Sequence, residues 1–230
     1  MRGRGFLKAV IFDLDETLIH CRVDFKKMKA LTIAFLQQTG VTPGLLNDGM
    51  LNFEIMRLAV ADLRGKSFSE NAIRRVRANV TKIMNNVELE SLGGVTAMEG
   101  AKETLKALKS RGLKIGIMTN GCHEYAEKVL SKVGLNRYVD AVAARDDVEK
   151  PKPDPEHAFH LLKLLGVSAT EALFIGDHWL DAECAKRAGL AFVLVKNRMQ
   201  DVEALKDHPY QAVNSIKDIV NLVNGMDANG

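Results

Sequence analysis

Two textures alternate along the chain. Short unbroken apolar runs, rich in β-branched residues, end on polar positions: Ala9–Phe12, Ile115–Met118, Ala141–Ala143, Leu173–Ile175 and Phe192–Val195. Apolar runs without polar alternation suit strands covered on both faces, as in a parallel sheet. Between them lie stretches with apolar residues every three or four positions: Met98–Arg111, His123–Val133, Pro155–Leu165 and Leu180–Ala188. Each is followed by a glycine, the residue that most readily takes the left-handed conformation that stops a helix. This rhythm of strand and helix predicts right-handed βαβ crossovers, and so an α/β fold with a doubly wound parallel sheet.

The rhythm breaks once. From about Cys21 to Gly94 nothing reads as a strand. Phe25, Met28, Leu31, Phe35 and Leu36 share one helical face. Further helices are predicted over Leu45–Leu63 and Ser69–Leu89, with Ser69 as N-cap. Met50, Met56 and Met84 read as packing within this region. So long a segment between consecutive strands exceeds an ordinary loop. The expected organisation is a core of residues 1–20 and 95–230, interrupted by a helical domain over 21–94 that returns through Gly93-Gly94. The tail from Met226 onward is expected to fray.

Composition narrows the partners. The net charge is only +3, and the Lys and Arg residues are interleaved with acids, which argues against a nucleic-acid partner. No apolar run is long enough to span a membrane, and the start lacks the apolar stretch of a signal peptide. Cys21, Cys122 and Cys184 are too far apart for a Cys-x-x-Cys zinc site or a disulfide framework. A cytoplasmic protein, monomeric or homodimeric, is expected.

Chemistry-bearing residues gather at the ends of the predicted strands. Asp13 and Asp15 follow the first, where both carboxylates can point into the crevice at the carboxyl edge of the sheet. Thr119-Asn120-Gly121 follows the second and suits an anion at a helix start, although Asn-Gly is also a common turn. Lys150-Pro151-Lys152-Pro153-Asp154-Pro155 precedes a helix, with Asp154 as N-cap and Pro155 at its first position. Asp177, after the fourth strand, is placed to ligate a hard cation, with Asp181 one turn further along. Taken singly, each has a plainer reading as a turn, a solvated loop or an acid at a helix N-terminus.

Taken in order, the four motifs D-x-D-x-T, T-N-G, K-P-x-P and G-D-x-x-x-D resemble those of the haloacid dehalogenase superfamily. The nearest group is the phosphoglycolate phosphatase-like and β-phosphoglucomutase-like one, whose helical cap sits between the first and second motifs. The resemblance implies a Rossmann-like core, magnesium as cofactor and a small phosphorylated metabolite as substrate. It implies Asp13 as the nucleophile that becomes phosphorylated and Asp15 as the acid/base. Thr119 and the backbone N–H of Asn120 would bind phosphate, and a lysine of the third motif would neutralise the reacting pair. Asp13, the backbone carbonyl of Asp15 and Asp177 would hold the metal, with Asp181 in support. K-P-x-P fits Lys150 and Lys152; the spacing to Gly166 favours Lys152. Glu16 departs from the pattern, since many phosphatases of the group carry glycine there.

Other features take plainer readings. His157 and His160 read as a polar helix face rather than a metal pair, because no partner ligand is evident. His178 and Trp179 either line an entrance or pack locally. Arg57, Arg64, Lys66, Arg74, Arg75 and Arg77 read mostly as a solvated face. The leading function is a magnesium-dependent phosphatase. Alternatives are a phosphoglucomutase-type transferase, a dehalogenase, disfavoured because Asp15 is present, and a phospho-acceptor module without turnover, disfavoured by the helical insert.

Overall fold

The structure, a computed structural model, describes residues 7–196 and 210–227. The run Ala9–Phe12 forms β1, and none of its residues is exposed, because strands flank both its edges and helices cover the sheet. β4 (Lys114–Met118) pairs with one edge of β1 and β6 (Ala172–Gly176) with the other, both parallel. β5 (Ala141–Ala143) extends the sheet beyond β4, and β7 (Ala191–Val195) and β8 (Gln211–Val213) extend it beyond β6. The order β5-β4-β1-β6-β7-β8 reverses direction between β1 and β6, the switch point at which such sheets bind ligands.

Helices α4 (Ala101–Ser110), α5 (His123–Lys132), α6 (Pro155–Leu165), α7 (Trp179–Ala188) and α8 (Asp218–Asp227) accompany the sheet. One core cluster joins Ile11, Phe174 and Phe192 of the strands to Leu161 and Leu165 of α6 and Ala182 and Ala185 of α7. α6 and α7 stop at Gly166 and Gly189, at φ 65° and 72°.

The chain divides into two compact units, Met1–Cys21 with Gly94–Gly230, and Arg22–Gly93. In the second, α1 (Phe25–Gln38), α2 (Asn52–Gly65) and α3 (Glu70–Glu90) enclose their own core of Met28, Leu36, Ile55, Leu63, Ile73, Val80 and Met84. Ser69 Oγ caps α3 by accepting the N–H of Ala72.

The elements differ from expectation in four places. α2 starts at Asn52, not Leu45, because Asn47 Oδ1 accepts the N–H of Gly49 in a turn, and Glu54 then caps the N–H of Leu51. α4 starts at Ala101, not Met98, because Gly100 is left-handed and Thr96–Ala97 forms a short strand, β3. β3 pairs antiparallel with β2 (Ile19–His20), joining Ile19 to Ala97 and His20 to Thr96. Past Val195 the sheet gains β8, and α8 continues to Asp227, so Met226 is helical; residues 228–230 lie outside the described residues. Among the described residues no helix is long and apolar enough to cross a membrane.

Candidate active site

The site is built where β1 and β6 end side by side. The N–H of Asp13 still donates to the Ile175 carbonyl at 2.8 Å, so the strand pairing carries its buried side chain to the sheet edge. The chain then turns sharply at Glu16, whose φ is 59°. A left-handed backbone costs a non-glycine residue about 1–2 kcal/mol. Glu16 offsets part of this, because its Oε1 accepts the N–H of Cys21 at 2.8 Å. The turn brings Asp15 round to face β4 and α5. Its Oδ1 accepts the hydroxyl of Tyr125 at 2.9 Å, and its Oδ2 that of Thr119 at 3.4 Å.

From β6, Asp177 follows Gly176 and accepts the Thr17 hydroxyl at 3.4 Å. A Cβ on Gly176 would lie 2.5 Å from Asp181 Oδ2, so only glycine lets the first turn of α7 come this close. Asp181 Oδ2 caps that turn through the N–H of His178 at 3.1 Å. Its Oδ1 accepts from Lys152 Nζ at 2.6 Å, and the same ammonium donates to Asp13 Oδ1 at 2.6 Å. Lys150, by contrast, is exposed.

Thr119 is held by its N–H to the Ala143 carbonyl at 3.0 Å, and its hydroxyl oxygen accepts the N–H of Gly121. Asn120 Nδ2 donates to the Lys152 carbonyl at 3.0 Å, and the carbonyl of Asn120 accepts Arg145 Nη1 at 2.6 Å. The structure thus brings Asp13, Asp15, Thr119, Asn120, Lys152, Asp177 and Asp181 to one edge of the sheet.

Three buried or half-buried carboxylates here face one ammonium. Burial pushes Asp13 up to about 7 against the pull of Lys152, with Asp181 and Asp15 adding to the rise. Burial, then Asp13 and Asp181, push Asp177 up to about 8. Burial works against the Lys152 ammonium, but Asp13 and Asp181 outweigh it and hold its pKa above the ordinary range. Asp13, Asp177 and Asp181 each offer an oxygen within 4.8 Å of the others. Hard oxygen donors with an excess of negative charge fit a divalent cation such as magnesium.

Two residues at this edge were not read as part of it. Tyr125 is fully buried, and its phenol has a pKa raised by burial and by Asp15, so it stays a neutral donor. It falls on the apolar face of α5 with Val129, and that pattern conceals its hydroxyl. His157 corrects the reading of a polar helix face, being fully buried. The signal was its four-residue step to Leu161 and Leu165 on the apolar side of α6. His178 turns inward to its own helix, where Nδ1 accepts the N–H of Leu180. In the helical unit the six basic residues from Arg57 to Arg77 are all exposed.

Residues 10–195 match the family described as haloacid dehalogenase-like hydrolase. The chain belongs to that family. Within it, a phosphoglycolate phosphatase of Rhodospirillum rubrum is 30% identical over 199 residues, covering 82% of this chain and 79% of the relative. The PpaX protein of Clostridium perfringens, which bears a provisional pyrophosphatase name, is 31% identical over 225 residues, 94% of this chain and 97% of the relative. A β-phosphoglucomutase from Clostridium difficile superposes with a TM-score of 0.66 at 21% identity, over 97% of this chain and 100% of that one. That likeness speaks to the haloacid dehalogenase fold alone.

Proposed function

We propose that this haloacid dehalogenase-like hydrolase is a magnesium-dependent phosphatase of small phosphomonoesters, phosphoglycolate among them, that works through a phosphorylated Asp13. The observation that carries this reading is Lys152 held 2.6 Å from both Asp13 and Asp181, beside Asp177, at the switch point of the sheet. Asp13 attacks phosphorus, and the Lys152 ammonium offsets the repulsion between carboxylate and phosphate. The Thr119 hydroxyl and the backbone N–H of Asn120 bind the phosphoryl oxygens. Asp15, oriented by Tyr125, gives a proton to the leaving alkoxide and later takes one from the water that attacks the aspartyl-phosphate. Magnesium would be held by Asp13, the backbone carbonyl of Asp15 and Asp177, with Asp181 in support, and when bound it supplies the remaining positive charge. We read the unit Arg22–Gly93 as the cap that selects the substrate. The three free thiols, two of them buried, suit a cytoplasmic setting.

Phosphate release from a panel that includes phosphoglycolate, pyrophosphate and sugar phosphates tests the reading, with and without a chelator. Activity on a phosphomonoester is expected to vanish with the chelator and return with magnesium. Asp15→Asn, given an aryl phosphate, is expected to accumulate one phosphoryl group on the peptide containing Asp13. Phosphate release from none of the phosphomonoesters would refute the reading, and full activity after metal stripping would refute its magnesium part.

A further inference from the structure

His157 sits in the first turn of α6, without solvent exposure, and each ring nitrogen has one partner. The backbone N–H of Lys152 donates to Nδ1 at 3.2 Å, and Nε2 meets the Ala143 carbonyl at 3.0 Å. A backbone N–H can only donate and a carbonyl can only accept. The neutral tautomer with its proton on Nε2 is therefore dictated, and a second proton on Nδ1 would face a donor. Burial and the nearby Lys152 charge push the imidazole down to about 3, so this tautomer persists at working pH.

The same Ala143 carbonyl accepts the N–H of Thr119, and the carbonyl of Lys152 accepts from Asn120. One imidazole therefore ties the loop bearing Lys152 to the strand end that holds Thr119. We infer that His157 is a positioning residue for Lys152, fixing the peptide from which its ammonium spans Asp13 and Asp181. The inference rests on the role proposed above for Lys152. A displacement of about 1 Å in a reacting group can lower turnover about 10²-fold, which makes such a backbone anchor consequential.

Two substitutions separate the contacts. In His157→Asn the amide oxygen replaces Nδ1, so the Lys152 N–H keeps an acceptor. In His157→Gln the amide nitrogen replaces Nε2, so only the bond to Ala143 survives. Hydrogen exchange at the Lys152 amide, read by NMR, is expected to stay slow in the first and to quicken at least about tenfold in the second. Aryl phosphate turnover is expected to fall about 10–100-fold in His157→Gln, with KM nearly unchanged, and to hold within about threefold in His157→Asn. Slow exchange in His157→Gln would overturn the inference, and so would fast exchange with undiminished turnover. Equal losses in both variants would make the ring mere packing and overturn it too. If neither variant folds, the wild-type protein decides. A nitrogen–nitrogen coupling between the Lys152 amide and His157 Nδ1 supports the anchor, and a ring protonated at Nδ1 refutes it. Wild-type protein inactive on every phosphomonoester would refute the function, while the exchange and coupling measurements would still decide this inference.

Discussion

Lys152 and Lys66 each reach a carboxylate within 3 Å, yet their surroundings make them different objects. The Lys152 side chain is 3% exposed and sits between Asp13 and Asp181; that of Lys66, in the helical unit, is 39% exposed beside Asp62. Around Lys66, and at the Arg64–Glu70 and Lys27–Glu90 pairs, water screens the charges and the pairing contributes little. At the sheet edge Asp13, Asp181 and Lys152 are all buried, so an excess of carboxylate over ammonium is a cost borne by the folded state. The helical unit is stabilised by apolar packing and exposes most of its charge, with Glu88 on α3 the buried exception. The sheet edge does the reverse, burying Asp13, Asp181 and Lys152 together, an arrangement whose excess of carboxylate suits a ligand of opposite sign.

The largest test of the contrast is chemical. Asp13→Asn is expected to lower turnover by about 10⁴-fold or more, as removal of a nucleophile does, with no labelling of the protein by substrate. Retained turnover would mean the buried charge is structural after all. Next in size, Leu36→Ala in the helical unit is expected to cost about 2–5 kcal/mol in urea denaturation, because Leu36 is fully buried in that unit's core. A negligible loss would show that apolar packing is not what holds the unit.

A pH series sharpens the comparison further. Asp177 is raised to about 8 in the folded state and lies near 3.8 when unfolded, so the unfolded chain gives up its proton first. The part of the metal-free protein's stability that depends on Asp177 should then be fullest below about pH 4 and decline as pH rises toward 8, with Asp13 adding to the decline. Asp177→Asn should flatten that decline. Magnesium at a hundred times its dissociation constant should restore about 2.7 kcal/mol to the wild type at pH 8, and little to the variant. A difference in thermal midpoint between wild type and Asp177→Asn that ignores both pH and magnesium would contradict the charge-excess account. The smallest effect belongs to Glu90→Gln, which removes the exposed partner of Lys27 and is expected to leave the thermal midpoint unchanged in ordinary salt.

Much of this arrangement was legible because the positions concerned carry two signals at once. Asp13, Thr119 and Asp177 each stand where an apolar run stops, and strand pairing then brings those stops together. Lys152 was separable from Lys150 only by spacing, and the structure buries the former while exposing the latter. Tyr125 and His157 escaped because each occupies a core position of its helix, and a periodic pattern reports burial without reporting what a buried polar atom touches. The start of α2 was misjudged for the opposite reason. Leu45 and Leu46 extend the apolar period backward, but the Asn47-Asp48-Gly49 turn intervenes through its own side-chain hydrogen bond. The ribbon of β2 and β3 is only two residues to a side and leaves no periodicity to read.

That ribbon has a consequence for how such proteins diversify. Because Ile19 lies opposite Ala97 and His20 opposite Thr96, the chain leaves the sheet unit and returns to it through neighbouring positions, about 5 Å apart in any antiparallel pair. Whatever is spliced between these two docking points meets the same boundary condition, so its length and sequence can change without altering the order of the six strands or the stops of β1 and β6. The ribbon forms a fixed socket for the helical insert, so under the reading proposed above, recombination or design at residues 21–95 is expected to rewrite substrate preference while leaving the strand ends that carry Asp13 and Asp177 in place.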